Sequence, residues 1–369
     1  MKTKFILIGG FLGAGKTTLV GQLAKRYTDE GKSVGIVTND QAADLVDTHN
    51  LRSLGFEVGE VAGACFCCSF DNLVETCGKL GDGQMPEILI AEPVGSCTDL
   101  VATVILPLQQ LLGEQFELAP FGVLLKPSHG QKILAPQEGS RSGFSPQAEY
   151  IFQKQLEEAD YLMIGRADQL SGEAADALRD RLGQVAPDVP VVLVSPKTGT
   201  GVDEVLGYIE SPMIAGRRLL DIDYDTYAIG EAELGWVNLT ADVTPAGELD
   251  LDAFVGELVG DVARSISESC DGQIAHLKAS IIADDTQAVA NVVSNDSPVD
   301  IGLASGRTIT TPVRVIINAR VAMDPDQLET ICTSSLKAIA SKHNAQAISL
   351  SAHSLRPGRP TPTHRVTTS

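Results

Sequence analysis

An apolar run at residues 5–8 leads directly into the segment Gly9-Gly10-Phe11-Leu12-Gly13-Ala14-Gly15-Lys16-Thr17. Consecutive backbone N–H groups, exposed by glycine geometry at the start of a helix, can surround phosphate groups while a lysine neutralises them. Glycines followed by Lys and Thr at this spacing form the pattern of a P-loop. The segment therefore predicts a strand, a phosphate-binding turn and a helix, in that order. A glycine-rich turn that matches by chance is the alternative.

The members of this motif have separate predicted roles. Lys16 is expected to reach the β and γ phosphates of a nucleotide, and the Thr17 hydroxyl is expected to bind Mg²⁺. The nucleotide-binding set of the motif is Gly10, Gly13, Ala14, Gly15, Lys16, Thr17 and Thr18.

A nucleotide switch also needs a carboxylate near Mg²⁺ and a backbone amide that faces the γ-phosphate. Glu92-Pro93-Val94-Gly95 comes directly after the apolar run 87–91 and fits that description. We expect Glu92 to hold Mg²⁺ or its water and Gly95 to offer the amide, so Lys16, Thr17 and Glu92 form the predicted catalytic set. The alternative for Glu92 is an acid at a strand end that caps a helix.

The base site is predicted at Gly165-Arg166-Ala167-Asp168, which also follows an apolar run. Asp168 can accept the two N–H groups on the edge of guanine, and the stem of Arg166 can lie over the ring. Lys197, in Ser195-Pro196-Lys197, stands in the next expected loop, although Pro196 has no N–H to donate. GTP is favoured over ATP, which remains the alternative.

Three cysteines, Cys65, Cys67 and Cys68, stand close together after Gly63. They can converge on one soft cation if the chain turns there, and Gly63 permits a turn. Three thiolates with one further ligand form a zinc-like set, and cobalt is the second choice. A buried cysteine cluster or a redox pair is the alternative. The isolated Cys77, Cys97 and Cys332 are expected to be packing residues.

Short apolar runs alternate with helical patterns over residues 1–212, which is typical of a parallel sheet wrapped by helices. The predicted strands are residues 4–8, 33–37, 87–91, 121–125, 161–164 and 189–194. The first helix is expected to begin at Lys16 and to end near Gly31. Residues 127–143, rich in Gly, Ser, Pro and Gln, are predicted to form a long loop.

The pattern changes after residue 212. Residues 213–230 form an acidic connector, and residues 231–355 carry helical stripes between alternating strands. The predicted fold is therefore α/β, a P-loop NTPase domain with a mostly parallel sheet at 1–212 and a smaller C-terminal α+β domain at 231–355. Residues 356–369 are predicted to form an extended tail.

Charge and cysteine content restrict the partners. Lys and Arg number 28 against 48 Asp and Glu, a formal charge of -20. Nucleic acids and anionic membranes attract clustered Lys and Arg, so we expect neither as a partner. No apolar run approaches the roughly 20 residues of a membrane span. Seven cysteines, an odd number, do not suggest a disulfide framework, so a reducing compartment, the cytoplasm, is expected.

The segment from Gly9 to Leu19, followed by Gly63-Ala64-Cys65-Phe66-Cys67-Cys68, resembles the CobW-type GTPases, relatives of the nickel chaperones HypB and UreG. The likeness extends to a branch associated with cobalamin biosynthesis. It covers the layout of the whole chain, with the motifs in the first 200 residues. In that family a GTPase domain carries a Cys-x-Cys-Cys metal site between its switch regions, and a smaller C-terminal domain follows.

The resemblance implies phosphate and Mg²⁺ roles for Lys16 and Thr17, a switch role for Glu92 and metal binding at the three thiols. Asp40 stands where the family often has glutamate, and the resemblance implies that it is the fourth, carboxylate ligand. The chain departs from the family in having Gly165 where the base motif has asparagine and in lacking a histidine-rich tract.

The first hypothesis is a GTP-gated chaperone that delivers zinc or cobalt to a client metalloprotein. The second is a thiol redox or regulatory switch without a metal cargo. Assembly or repair of a cobalt-corrinoid enzyme is a third hypothesis, raised by the family likeness. A homodimer that depends on nucleotide or metal is a further expectation.

Overall fold

The computed structural model describes residues 2–40, 46–81, 84–134, 142, 144–269, 272–283 and 286–367, without the side chains of Asp40 and Ser349. The chain divides into two compact units. The first comprises Met1–Ala43, Leu54–Gly230 and Arg359–Ser369, and the second comprises Asp44–Ser53 and Glu231–Gly358.

The first unit contains a parallel sheet. Its strands are β1 (Thr3–Gly9), β2 (Val34–Asp40), β3 (Glu57–Ala62), β4 (Ile88–Glu92), β5 (Phe116–Leu118), β6 (Gly122–Leu125), β7 (Tyr161–Ile164) and β8 (Val191–Leu193). They are ordered β3-β2-β4-β1-β6-β7-β8, with β5 paired to β1. Every pairing described in this sheet is parallel. The predicted parallel α/β fold is therefore confirmed.

Helices connect and cover the strands of both units. They are α1 (Lys16–Asp29), α2 (Val46–Ser53), α3 (Phe70–Lys79), α4 (Leu106–Leu112), α5 (Pro127–Leu134), α6 (Pro146–Glu157), α7 (Gly172–Val185), α8 (Val202–Ile209), α9 (Tyr224–Ala232), α10 (Leu251–Ser269) and α11 (Pro325–Lys342). The first helix begins at Lys16, as predicted, and ends two residues before Gly31.

Three elements of this unit, β3, β5 and α5, differ from the sequence-based prediction, and the three-residue strand β5 was not predicted. Strand β3 was not predicted, because it is a half-exposed edge strand whose alternation is interrupted by Gly59. The predicted loop at 127–143 is wrong over its first half, where helix α5 begins with Pro127 and buries His129 and Ile133. Its Gly130 permits close packing, since an added Cβ would lie 2.8 Å from the Leu178 side chain. Residues 135–141 and 143 of that loop lie outside the described part of the chain.

The second unit is a smaller α+β fold, as predicted. Its strands are β9 (Gly235–Pro245), β10 (Leu249–Asp250), β11 (Gln273–Ala283), β12 (Thr286–Val292), β13 (Asp300–Leu303), β14 (Thr308–Ile309), β15 (Val313–Ala322) and β16 (Ala345–Leu355). Six of them form an antiparallel sheet ordered β13-β12-β11-β15-β9-β16. Apolar residues of α10 and α11 pack on it, among them Phe254, Leu258, Leu328 and Leu336.

A short segment from the N-terminal half of the sequence belongs to this second unit. Helix α2 packs on its sheet, where the Val46 N–H donates to Asn318 at 2.9 Å and Asp47 pairs with Lys278. Val46 is itself fully buried. The sequence-based prediction assigned residues 1–212, including this helix, to the first domain. A contact between residues 272 positions apart leaves no local signal in the sequence.

Within the described residues, no helix is both long enough and apolar enough to cross a membrane.

The P-loop glycine Gly10 generates a stability prediction. Its φ is +137°, and an added Cβ would lie 2.1 Å from the Leu124 carbonyl oxygen. We expect Gly10→Ala to lower the free energy of unfolding by about 2–4 kcal/mol, because the methyl group forces both backbone strain and overlap. Gly183→Ala is the control: Gly183 lies in α7 with open space around it, so alanine should raise stability by up to about 1 kcal/mol. Urea unfolding measures both, and equal effects would contradict this account.

Candidate nucleotide and thiol sites

The P-loop connects β1 to α1 at the carboxyl edge of the parallel sheet. Gly15 caps α1 in the left-handed region, with φ of 98°, so the first N–H groups of the helix point into the loop. The Lys16 ammonium is buried and donates to the Gly10 carbonyl at 2.9 Å. This arrangement holds a cation beside the exposed helix N-terminus, which is the chemistry that a phosphate group requires.

The end of β4 meets the P-loop because β4 and β1 are neighbours in the sheet. The Thr17 hydroxyl donates to the Glu92 carboxylate at 3.0 Å. A hydroxyl and a carboxylate at this separation form an oxygen donor set that suits Mg²⁺. Three residues further on, Gly95 lies directly against Leu12 of the P-loop, since an added Cβ would be 2.9 Å from the Leu12 nitrogen. The structure therefore brings the predicted switch residues to the predicted phosphate loop.

The predicted base loops lie at the adjacent carboxyl ends of β7 and β8. Gly165 packs against the P-loop, and an added Cβ would lie 3.3 Å from the Ala14 carbonyl oxygen. Arg166 adopts a left-handed conformation with φ of 53°, and Asp168 and Lys197 are exposed. At Gly165, where the base motif has asparagine, two backbone segments therefore lie close together and leave little room for a side chain.

The three predicted thiols converge. The Cys65 sulfur lies 2.9 Å from that of Cys67 and 3.3 Å from that of Cys68, and the last two are 3.6 Å apart. A tetrahedral zinc site with Zn–S bonds of about 2.3 Å places its sulfurs roughly 3.8 Å apart. Each pair would therefore separate by less than about 1 Å to hold such an ion, so the donor set fits a soft divalent cation. All three cysteines are free thiols.

One residue at the end of β2 holds the thiol loop in place. The buried Asn39 amide donates to the carbonyls of Val61 and Ala64 at 2.9 and 2.8 Å, and its oxygen accepts the Phe66 N–H at 2.8 Å. Sequence reasoning did not assign this role, although Asn39 lies beside Asp40 in the segment compared with the family. The Asp40 side chain is outside the described residues, so its predicted role as a ligand stays a prediction.

Hydrogen bonds distribute charge unequally over the thiols. Donation from the Cys67 and Cys68 thiols holds the pKa of Cys65 well below its usual value. The same hydrogen bonds, together with burial, raise the pKa of Cys67, and the pKa of Cys68 rises to about 11. Cation binding requires deprotonated thiols, so metal affinity at this site is expected to fall as the pH is lowered.

The C-terminal segment crosses the thiol loop. Its Thr361 N–H donates to the Cys68 sulfur at 3.2 Å, and the Thr363 N–H donates to the Cys67 carbonyl at 2.9 Å. Further along, Arg365 donates to the buried Asp99 carboxylate at 2.7 Å. The predicted tail is extended, but these contacts attach it to the first unit over residues 361–366.

The segment after Glu92 is held by several buried groups that sequence reasoning missed. Gln155 of α6 donates to the carbonyls of Gly95 and Cys97 at 3.0 and 2.8 Å. Glu158, which follows the same helix, accepts from the Thr98 hydroxyl and from the Val101 N–H. Burial raises the pKa of Glu158 to about 8. An amphipathic pattern along α6 would not have distinguished these two polar residues from surface positions.

One family model and several solved structures are similar to this chain. The model of the CobW/HypB/UreG nucleotide-binding domain matches residues 4–193, more than half of the chain. Among solved structures, the Zn(II)-bound YjiA GTPase from E. coli is 15% identical over 90% of this chain and 99% of its own, with a TM-score of 0.38. HypB from Helicobacter pylori in complex with nickel is 19% identical over 57% of this chain and 92% of its own, with a TM-score of 0.40. No curated protein matches the chain.

Glu158 generates a prediction about pH. The pKa of Glu158 in the fold lies above the usual 4.5. Its contribution to the free energy of unfolding is therefore full below about pH 4.5 and is lost as the pH rises through about 8. Gln at this position does not titrate. We expect the unfolding free energy of Glu158→Gln, relative to the unsubstituted protein, to increase by at least about 1 kcal/mol between pH 5 and pH 8.5. Urea unfolding at the two pH values tests this, and a constant difference would contradict it.

The contact between tail and thiol loop generates a prediction about reactivity. Arg365→Ala removes the charged one of two donors to the buried Asp99 carboxylate, at a cost of roughly 1–2 kcal/mol, and leaves the Tyr224 hydroxyl as the other. We expect the tail to open and alkylation of Cys68 to accelerate about 5- to 30-fold. Arg359→Ala is the control, because its ion pair with Asp225 is exposed and should contribute little. Mass spectrometry of Cys68 over time measures both rates, and an unchanged rate in Arg365→Ala would show that the tail does not cover this thiol.

Proposed function

The chain belongs to the CobW/HypB/UreG family and is a P-loop GTPase, and from this premise we propose that it is a GTP-gated metallochaperone. The cargo is zinc or cobalt, held by Cys65, Cys67 and Cys68. The recipient is a client metalloprotein. The sequence resembles a branch of the family that is associated with cobalamin biosynthesis, so we place this delivery in cobalamin-related metabolism.

The observation that carries the proposal is a continuous set of contacts from the P-loop to the thiols. Thr17 contacts Glu92 at the end of β4, and Glu92 is paired in register with Thr38 of β2. The next residue, Asn39, makes the three hydrogen bonds that hold the thiol loop. A displacement of Glu92 when the γ-phosphate is lost would therefore reach the thiols through one pair of neighbouring strands.

The residues of the P-loop have the roles that their geometry allows. Lys16 would leave the Gly10 carbonyl to neutralise the β and γ phosphates, and Gly95, against Leu12, would offer its N–H to the γ-phosphate. Thr17 and Glu92 would hold Mg²⁺ directly or through water, and the ion would neutralise the charge that develops during phosphoryl transfer. Burial of these groups excludes bulk water and strengthens their interactions with phosphate.

The free energies of metal binding favour release of the ion to a client protein over release to solvent. To change a site from 99% loaded to 99% empty takes about 5.5 kcal/mol of differential binding. A structural zinc site is worth about 10–16 kcal/mol. Nucleotide hydrolysis can thus weaken the thiol site without emptying it, and a protein with its own ligands must complete the transfer.

Guanine is the base that the loops after β7 and β8 support. Asp168 offers a carboxylate to the N–H groups of guanine, and Arg166 and Lys197 flank the same edge of the sheet. Free thiols at every described cysteine are consistent with the reducing cytoplasm as the place of action. A homodimer that forms with nucleotide or metal belongs to the same proposal.

One observation favours a second function, a nucleotide-dependent thiol redox switch. The Cys65 and Cys67 sulfurs are 2.9 Å apart, and the low pKa of Cys65 provides a thiolate for exchange. Metal content decides between the two functions. A reduced protein that binds no zinc or cobalt, yet forms a reversible disulfide that depends on nucleotide, would support the switch.

The metallochaperone proposal predicts that zinc affinity depends on the nucleotide. With Mg²⁺ and a slowly hydrolysed GTP analogue, we expect the dissociation constant for zinc to be at least about tenfold lower than with GDP, a difference of roughly 1.4 kcal/mol. Competition with a chromophoric chelator measures both constants on the reduced protein.

Lys16→Ala is the matched control for this measurement, since it removes the cation that neutralises the phosphates and leaves the thiols intact. The difference between the two nucleotides should disappear in this variant. Equal zinc affinities of the unsubstituted protein in both nucleotide states would contradict the proposal.

A further inference from the structure

The C-terminal tail contacts the thiol loop at the cysteines themselves. The Thr361 N–H donates to the Cys68 sulfur at 3.2 Å. The Thr363 N–H donates to the Cys67 carbonyl at 2.9 Å, and the Thr363 hydroxyl donates to the Cys68 carbonyl at 3.2 Å. Cys68 is half-buried, whereas the other two cysteines of the loop are buried. The tail therefore lies against the most accessible cysteine of the three.

Contacts further along the tail hold these donors in place. The His364 ring packs edge to face on Phe70, the first residue of α3, with 5.0 Å between the ring centroids. Arg365 donates to the buried Asp99 carboxylate at 2.7 Å. The Val366 N–H donates at 2.9 Å to a backbone carbonyl in the segment after Asp99. The N–H groups over the thiol loop are thus positioned by more than their own hydrogen bonds.

We propose that the tail is an outer shell of the metal site. The Thr361 N–H donates to a metal-bound thiolate, so that binding of the ion and docking of the tail favour each other. The inference rests on the proposed function, because it concerns the same metal site. Thr361 is a positioning residue in this inference and supplies no ligand atom.

The coupling follows from the charge of the sulfur. A metal-bound cysteine is a thiolate. An N–H group forms a hydrogen bond to an ionised acceptor that is about twice as strong as one to a neutral acceptor. The ion therefore strengthens the contact between the tail and Cys68, and by reciprocity the docked tail raises the affinity for the ion. Outer-shell groups at metal sites commonly change metal affinity by about 10- to 100-fold.

The position of the tail has a consequence for delivery. A client that takes over the ion offers its own ligands, and these need an accessible side of the site. Cys68 is the accessible thiol, and the tail lies on it. The tail therefore opens before the ligands of a client reach the ion, and a closed tail slows loss of the ion to small chelators.

One substitution removes the donor to sulfur from the tail. Thr361 stands between Pro360 and Pro362, and a residue before proline favours an extended backbone that proline itself can adopt. Thr361→Pro therefore deletes the N–H. Thr361→Ala is the matched conservative variant, which keeps the N–H and shortens an exposed side chain. We expect reduced, full-length Thr361→Pro to lose zinc to excess chelator about tenfold faster than the unsubstituted protein, and Thr361→Ala to lose it at the original rate.

Cobalt provides a readout that a purely structural role would not change. A hydrogen bond to a thiolate lowers the energy of the sulfur lone pairs, so its loss shifts the sulfur-to-cobalt charge-transfer band to longer wavelength. We expect this shift in Thr361→Pro and an unshifted band in Thr361→Ala.

Hydrogen exchange gives the reciprocal measurement on the unsubstituted protein. One equivalent of zinc should slow amide exchange of residues 359–366 by at least about tenfold, because the ion favours the docked tail.

These measurements separate the inference from the proposed function. Tail exchange that does not change with zinc, or zinc release and cobalt spectra that are the same in both variants, would overturn the outer-shell role while the metal site of the loop stands. Failure to bind zinc or cobalt at all would overturn the proposed function and this inference with it. The exchange measurement needs no variant, so it decides the question even if Thr361→Pro distorts the tail.

Discussion

Gly95 lies so close to Leu12 that no side chain fits between them, and this contact joins the end of β4 to the P-loop. The contact follows from the strand order, which places β1 between β4 and β6 and brings the loops after these strands to one edge of the sheet. A ligand in the P-loop would therefore lie beside this segment. The same segment includes the buried Cys97 and is held by Gln155, which donates to the carbonyls of Gly95 and Cys97.

The thiol loop is held from three directions, each with a different physical character. Asn39 fixes its backbone from β2 through neutral hydrogen bonds, and Cys97 approaches it from the segment after β4. The tail covers it, and the ion pair of Arg365 with Asp99 attaches the tail. Two of these three supports come from β2 and from the segment after β4, and these two strands are neighbours on one side of β1. A nucleotide-dependent change in metal affinity therefore needs only small displacements of groups already in contact.

The sequence predicts those parts of this site that are formed by consecutive residues. The P-loop, the turn of Cys65 to Cys68 and the position of Glu92 after a strand all depend on local geometry, and the structure places each where the pattern indicates. The role of Asn39 was missed because its hydrogen bonds to the thiol loop join segments 22 to 27 residues apart. Strand β3 was missed because Gly59 and two glutamates, Glu57 and Glu60, weaken its alternation. Helix α5 was missed because Pro and Gly are poor helix formers away from a first turn. The attachment of the tail, almost 300 residues from the thiols, leaves no local pattern at all.

In the proposed mechanism, nucleotide and metal act on one connected segment of backbone, and such a coupling is reciprocal. The most direct test is therefore the affinity for a slowly hydrolysed GTP analogue, measured with and without bound zinc on the same reduced protein. We expect zinc to lower the dissociation constant of the analogue by the same factor by which the analogue lowers that of zinc, and to have less effect on GDP. A dissociation constant of the analogue that does not change with zinc would contradict the coupling.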